Sequence, residues 1–380
     1  MKNHRQARIS AAQFATMVTS AYLGLGIYYF PRPLVSAAGR SGIYGLWLDG
    51  LVAGGLMWLM FRANRVIPTE TLSEYGPQLL GKPLGYLIAG VTIAYHVALA
   101  ISAAILYSFV IGNIFLPTTP IWAIDGAMTV TAAYLALTGT AGLARTLQAA
   151  YLPTLVVAVF SVVLAISLIH HPVLLIPSGD LAIIPILKGA YRQFLIFIGF
   201  EVSVTLYPYV RDGDRGEAER YSFYALIGVV VVLTGIYEIT LSIFGPALIS
   251  QLRWPLATTY GVISAPGFFI SKLGTFLNVL WTIVIVAFLA LRLWCLGHDV
   301  NALFPHPSTK TFQWGVVIMA VTVMIMAPLI PNAKIDDILS TTYLIPLGLG
   351  YLAGVPLLIL LAARLRRHLV SHLRLSSESP

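Results

Sequence analysis

Charge is scarce in this sequence: only 10% of its 380 residues are Asp, Glu, Lys or Arg. A soluble domain carries about 25%, so a water-facing globule of this size is excluded. Cysteine occurs once, at Cys295, which excludes an internal disulfide and a thiolate-cluster metal site. The reading left for it is a small buried apolar side chain. The apolar runs do not alternate with polar residues as the strands of a membrane barrel do, so spanning helices are the alternative. No Walker loop, Gly-x-Ser-x-Gly elbow or His-Glu-x-x-His helix is present. Nothing therefore points to an enzyme, and neither a cofactor nor a metal is expected. The adjacent His170 and His171 lack the spacing and partners of a metal site.

What the sequence has in abundance is apolar length. Hydrophobic residues make up 58% of it, and its mean hydropathy is +0.84. About 20 apolar residues cross ~30 Å of hydrocarbon, which leaves room for about ten spans in a single transmembrane domain, 1–380. The runs place these spans at about 10–34, 43–63, 84–112, 121–139, 147–169, 187–209, 222–246, 270–296, 313–330 and 341–363. The first is read as a retained span and not a cleaved signal, because its apolar stretch is too long and Pro31 and Pro33 sit ahead of the only candidate cleavage site. The segment 247–269, with Arg253, Trp254, Pro255 and Pro266, reads as a loop containing a short interfacial helix.

The net charge of +8 does not indicate nucleic acid, since the basic residues are scattered between apolar runs and form no continuous face. They indicate orientation. Sixteen, among them Lys2, Arg5, Arg8, Arg62, Arg65, Arg211, Arg292 and Arg364, fall on the side of the N-terminus, against six on the other. That asymmetry predicts both termini in the cytoplasm. The basic tail, 364–380, is expected to anchor there and to attract anionic lipid.

Two of the spans carry interruptions. Gly24-Leu25-Gly26-Ile27 falls near the middle of the first and is followed by Pro31; Gly199-Phe200-Glu201 sits at similar depth in the sixth and is followed by Pro208. Glycine relaxes the backbone, and proline removes a donor and clashes with the preceding turn. Unwound backbone within a membrane persists only where it faces protein or a wet cavity. There its freed amides and carbonyls, with the half-helix dipoles, serve as a ligand site. The alternative is that these glycines only allow close helix packing. Gly24 and Gly199 are 175 residues apart, close to half the chain and five spans. That spacing fits two five-helix repeats of opposite orientation, about 10–169 and 187–363, with a site at their interface. The candidate ligand-binding residues are accordingly Gly24, Leu25, Gly26, Ile27, Phe197, Gly199, Phe200 and Glu201. Tyr28 and Tyr29 either shape the same pocket or pack.

Ile9-Ser10-Ala11-Ala12-Gln13-Phe14, Gly24-Leu25-Gly26-Ile27 and Pro31 resemble the opening of the spore germination B-subunits (GerAB-type), within the amino acid–polyamine–organocation superfamily. Gly199-Phe200-Glu201 with Tyr207-Pro208 is similar to that family's sixth span. The resemblance implies an all-α fold of ten transmembrane helices, a LeuT-like 5+5 inverted repeat with helices 1 and 6 broken. It further implies a place in the spore inner membrane beside A-type and C-type subunits, and a small germinant, often an amino acid, as ligand. The first break lacks the extra serine or threonine common in sodium-coupled relatives, which argues against sodium coupling. A proton-coupled amino acid transporter is the competing reading.

Among charges inside spans, Glu201 stands out: a carboxylate at a helix centre costs about 2.5–3.5 kcal/mol on insertion scales, so it should face the interior. It is expected to meet a ligand ammonium or carry a proton, or else to cap loose amides or pair with Arg192 or another internal base. Glu238 and His96 are candidates for a proton or polar pathway, with packing and internal hydrogen bonding as the alternatives. Asn278 and Arg292 read as structural, Arg292 snorkelling toward the cytoplasm. Asp49 and Asp125 lie near span starts, where hydration suffices, and Asp336-Asp337 reads as a solvated face.

Overall fold

In the computed structural model the apolar runs are helices, and the structure describes residues 8–179, 181–262, 273–368 and 370. Lys2, Arg5, Pro266, Lys272, Arg374 and the Ser-rich tip lie outside the described residues, as do the side chains of 157, 161 and 273–280, Asn278 included. The first expected span is divided into α1 (Ala11–Leu23) and α2 (Pro31–Ala38). There follow α3 (Gly42–Asn64), the short α4 (Leu72–Leu79), α5 (Lys82–Ile114), α6 (Ile121–Leu137) and α7 (Gly139–Ala165). The sixth expected span is also divided, into α8 (Ile183–Gln193) and α9 (Ser203–Leu206). After it come α10 (Arg215–Gln251), α11 (Pro255–Val262), α12 (Leu273–Leu303), α13 (Thr309–Met326), α14 (Ala333–Leu339) and α15 (Ile345–Leu365).

Among the described residues, seven helical stretches are long and apolar enough to cross a bilayer, and the bent pair formed by the sixth span makes an eighth. The rest of the expected ten are shorter. α1 has 13 residues before its break, and the 17 residues of α6 cover about 26 Å against ~30 Å of hydrocarbon. Several helices outrun the apolar stretch that predicts them. α10 begins at Arg215 and not near 222, because Arg215, Glu217 and Glu219 form helical turns as readily as apolar residues do and carry the helix out of the membrane. It is kinked at Gly245, whose φ of +69° is followed by Pro246, a pairing of free backbone and missing donor. α11 is the short helix expected between 247 and 269.

α12 is the centre of the bundle. It packs against α1, α5, α6, α7 and α13, and Phe288 to Leu296 are all buried. Large apolar side chains elsewhere, such as Trp122, Tyr134, Ile184 and Leu365, project outward. That surface suits lipid, and the chain is a multi-pass membrane protein.

The two divided spans run in opposite directions, side by side. Ile9 bridges to Val210; a Cβ on Gly199 would lie against the backbone of Ala21; one on Gly189 would meet Leu34. Positions rising along the first span thus meet positions falling along the sixth, the antiparallel relation that opposite-orientation repeats require.

Candidate functional site

The first break spans residues 24–30. Gly26 takes φ +85°, a conformation costly to any residue with a Cβ. Its carbonyl accepts from the amides of Tyr29 and Phe30 at 3.1 and 2.9 Å, and Pro31 then opens α2 at a position where no amide donor is needed. The second break centres on Ile198 and Gly199, and its two arms differ in direction by 42°. Here glycine is required by contact: a Cβ at Gly199 would sit 1.8 Å from the Ala21 carbonyl oxygen. The second break therefore touches the last turn of α1, just ahead of the first break, backbone to backbone.

Between them lies the side chain of Arg292, sent in from α12. Its Nη2 donates to the carbonyls of Ala21 and Gly199 at 3.0 and 3.2 Å, one from each broken helix. Its Nη1 donates to Glu201 Oε1 and, at 2.9 Å, to His96 Nδ1. Because a guanidinium only donates, His96 Nδ1 is the acceptor, and the neutral ring carries its proton on Nε2. The Arg292–Glu201 ion pair is wholly inaccessible to solvent. Phe288 closes one side, its ring 4.8 Å from the guanidinium carbon and against Gly24. Arg292 Nε, Glu201 Oε2 and His96 Nε2 make no hydrogen bond among the described residues. One cation thus ties both broken spans and α5 to α12, using the planar fork that suits arginine to several acceptors at once.

Of the sequence-predicted residues, Gly199 and Glu201 bond Arg292 directly and Gly24 lies against Phe288, while Gly26 shapes the first break without joining the cluster. Leu25, Ile27, Phe197 and Phe200 are buried, Phe197 packed on Phe194. His96 joins it directly. Glu238 does not: its neighbour Tyr237 bonds the Gly39 carbonyl at the far end of α2, and neither Glu238 oxygen has a hydrogen-bond partner among the described residues. Glu201 pairs with Arg292 and not Arg192, which is exposed. Arg292 itself is not a snorkelling residue; it turns inward and leaves the set of orienting charges, fifteen of which remain on the N-terminal side. Asp336 is not solvated either. It is 3% exposed and accepts from Ser102 at 2.9 Å. Asp49 and Asp125 are buried as well.

Sequence reasoning missed Asp299. It is buried on α12, seven residues past Arg292, and accepts from Ser73 of α4 at 2.9 Å and from Thr205 of α9 at 3.4 Å. A span ending at 296 put it in a loop. The seven-residue spacing from Arg292, two helical turns, was the available signal.

At the ends remote from the breaks of α1 and α9, the chain is latched. The amide of Ile9 donates to Tyr209 O at 2.8 Å, and that of Arg211 to Ile9 O at 3.1 Å. Ser10 and Gln13 form a reciprocal cap on α1, and Phe14 meets Tyr207 edge-on at 6.0 Å. Glu219 accepts from the Tyr207 hydroxyl at 2.7 Å and from Arg65 at 2.8 Å.

Comparison with known proteins bears on this arrangement. The family described as "Spore germination protein" matches residues 8–335. Spore germination protein YndE of Bacillus subtilis is 23% identical over 95% of this chain and 98% of its own. Spore germination protein A2 of the same organism is 24% identical over 83% and 85%. Spore germination protein GerLB of Bacillus cereus is 22% identical over 94% and 95%. Among solved structures, MhsT in complex with L-phenylalanine aligns over 96% of this chain and 98% of that one, with a TM-score of 0.63 and 14% identity. Mhp1, a nucleobase-cation-symport-1 family transporter with bromovinylhydantoin bound, aligns over 95% and 80%, with a TM-score of 0.66 and 16% identity. These structural likenesses speak to the fold, which is LeuT-like.

Proposed function

Because the chain belongs to the spore germination protein family, a group of receptor- or transporter-like membrane proteins, we propose that it is a germinant receptor subunit that binds a small solute of amino acid size at the paired breaks. The observation that carries this is Arg292 donating to a carbonyl of each broken span while holding Glu201. A ligand engaging either broken helix alters the partners of the other through that one side chain. It drives a change only by its differential affinity for two arrangements of the helices. In this reading the chain lies in the spore inner membrane with both termini cytoplasmic, and A-type and C-type subunits relay the change. The competing reading, a proton-coupled amino acid transporter, draws support from the shared fold with a symporter and from the second oxygen of Glu201, which has no hydrogen-bond partner among the described residues.

Purified protein in liposomes separates the two. Labelled amino acids are offered with and without a proton gradient. Saturable binding without flux supports the receptor, whereas concentrative uptake by the isolated chain replaces it with the transporter. Glu201→Gln and Gly26→Leu should each abolish binding while the protein remains inserted; unchanged binding in both removes the breaks as the site.

A further inference from the structure

A cavity of about 240 Å³ lies beside the first break, lined by residues of the first span, α7, α10 and α12 and by none of α8 or α9. Its inner wall is Leu23 and Ile27 of the first span with Ala287 of α12; its other walls come from α7 and α10. It exists because facing positions are small: Ala150 and Ala158 on α7, Ala225 and Gly228 on α10. The depth is buried, with Ile27 2% and Leu233 1% exposed, while Tyr224 and Ile283 at the mouth are 60% and 42% exposed. The mouth lies between spanning helices and so opens on the hydrocarbon of the bilayer and not on water.

An apolar cavity of about 150 Å³ is large enough to stay dry and hold benzene, and this one is larger. In water such a void stays empty because nothing suitable is dissolved there. Beside hydrocarbon it does not: an alkyl chain enters without losing hydration, and it restores the dispersion contacts that an empty void forfeits. We propose that the cavity holds one acyl chain of a bilayer lipid, which braces α1 against α7 and α10 behind the first break. The site is separate from the Arg292 cluster and stands whether or not a solute binds there. Its consequence is that the freedom of α1, and with it the position of the Ala21 carbonyl, depends on lipid occupancy.

Gly228 supplies the test. A Cβ there would meet nothing within 4 Å, so Gly228→Leu fills the cavity without moving backbone. The full chain is placed in vesicles of phosphatidylglycerol carrying a photoreactive diazirine near the acyl terminus, illuminated, digested and mapped by mass spectrometry. The expected result is label on the recessed Ile27, Leu233 and Ala287, falling by about an order of magnitude, or about 1.4 kcal/mol of binding, in Gly228→Leu. Label on outward-facing Leu361 should not change. Ala150→Leu fills the space from the opposite wall and gives the same reading should the first variant fail to accumulate. Recessed label absent from the wild type, or equal in wild type and filled variants, overturns the proposal. So does recessed label obtained from a free diazirine fatty acid but not from the phospholipid.

Discussion

Cutting the ion pair between Glu201 and Arg292 one partner at a time, and then both together, gives the sharpest test of how the two breaks are held. Removing one member of a buried pair leaves an uncompensated charge and costs about 3–5 kcal/mol. Arg292→Met should cost more than Glu201→Gln, because it also strips the carbonyls of Ala21 and Gly199 and the Nδ1 of His96 of their donor, at about 1–3 kcal/mol for each buried group left unsatisfied. In the double variant the charge conflict is gone, so adding Glu201→Gln to Arg292→Met should cost nothing further or recover stability. The coupling energy should be about 3 kcal/mol. Unfolding entropy of about 2.1 cal/mol/K per residue gives about 0.8 kcal/mol/K for 380 residues, so 4 kcal/mol moves the melting midpoint by about 5 °C. The assay is thermal unfolding of the four purified forms in one detergent. Single-variant losses that add within about 0.5 kcal/mol refute the reasoning, because they mean the two charges do not depend on each other.

Gly199→Ala should prevent accumulation of folded protein, since its Cβ would overlap the Ala21 carbonyl, and Gly24→Ala should also lower it, since its Cβ would come within 2.5 Å of the Cβ and Cγ of buried Phe288; immunoblots of membrane fractions check both. The latch of α1 on the end of the sixth span predicts that Ile9→Cys with Val210→Cys, in a Cys295→Ser background, cross-links on oxidation. The cross-link should leave ligand binding intact if that end stays shut during sensing; loss of binding on cross-linking argues that it must open. Asp212→Ala, which removes an exposed partner of Arg8 and Arg215, should change the melting free energy by less than about 1 kcal/mol.

The breaks were legible because glycine and proline act through the backbone, where sequence alone states the constraint: Gly26 takes a positive φ, and Pro31 begins the next helix. The opening Ile9 to Phe14, met first as a mark of resemblance, proves to be mechanical, a bridge, a cap and an aromatic contact in six residues. Arg292 was misread for a physical reason. An arginine near the end of an apolar run can point either way, and which way depends on the helices packed around α12, which no local pattern records. Asp336 and Asp299 were misplaced by the same limit. Hydropathy marks where the lipid-facing character of a helix stops, not where its buried face does, so both carboxylates fall beyond the expected ends, where Asp336 reads as solvated and Asp299 draws no notice. Glu201 was found because a charge in mid-span is conspicuous whatever its partner.

On the proposed reading, in which a solute binds at the paired breaks, a guanidinium that already holds a carbonyl of each broken span sets a threshold for what can act as ligand. To dislodge it, an incoming molecule has to bring donors of its own for the two carbonyls, or a cation for the glutamate, in the same stroke. A molecule of the right shape that brings neither leaves the arginine where it is. Discrimination at such a site comes from competition with a resident side chain more than from fit, and an ammonium group is the natural competitor.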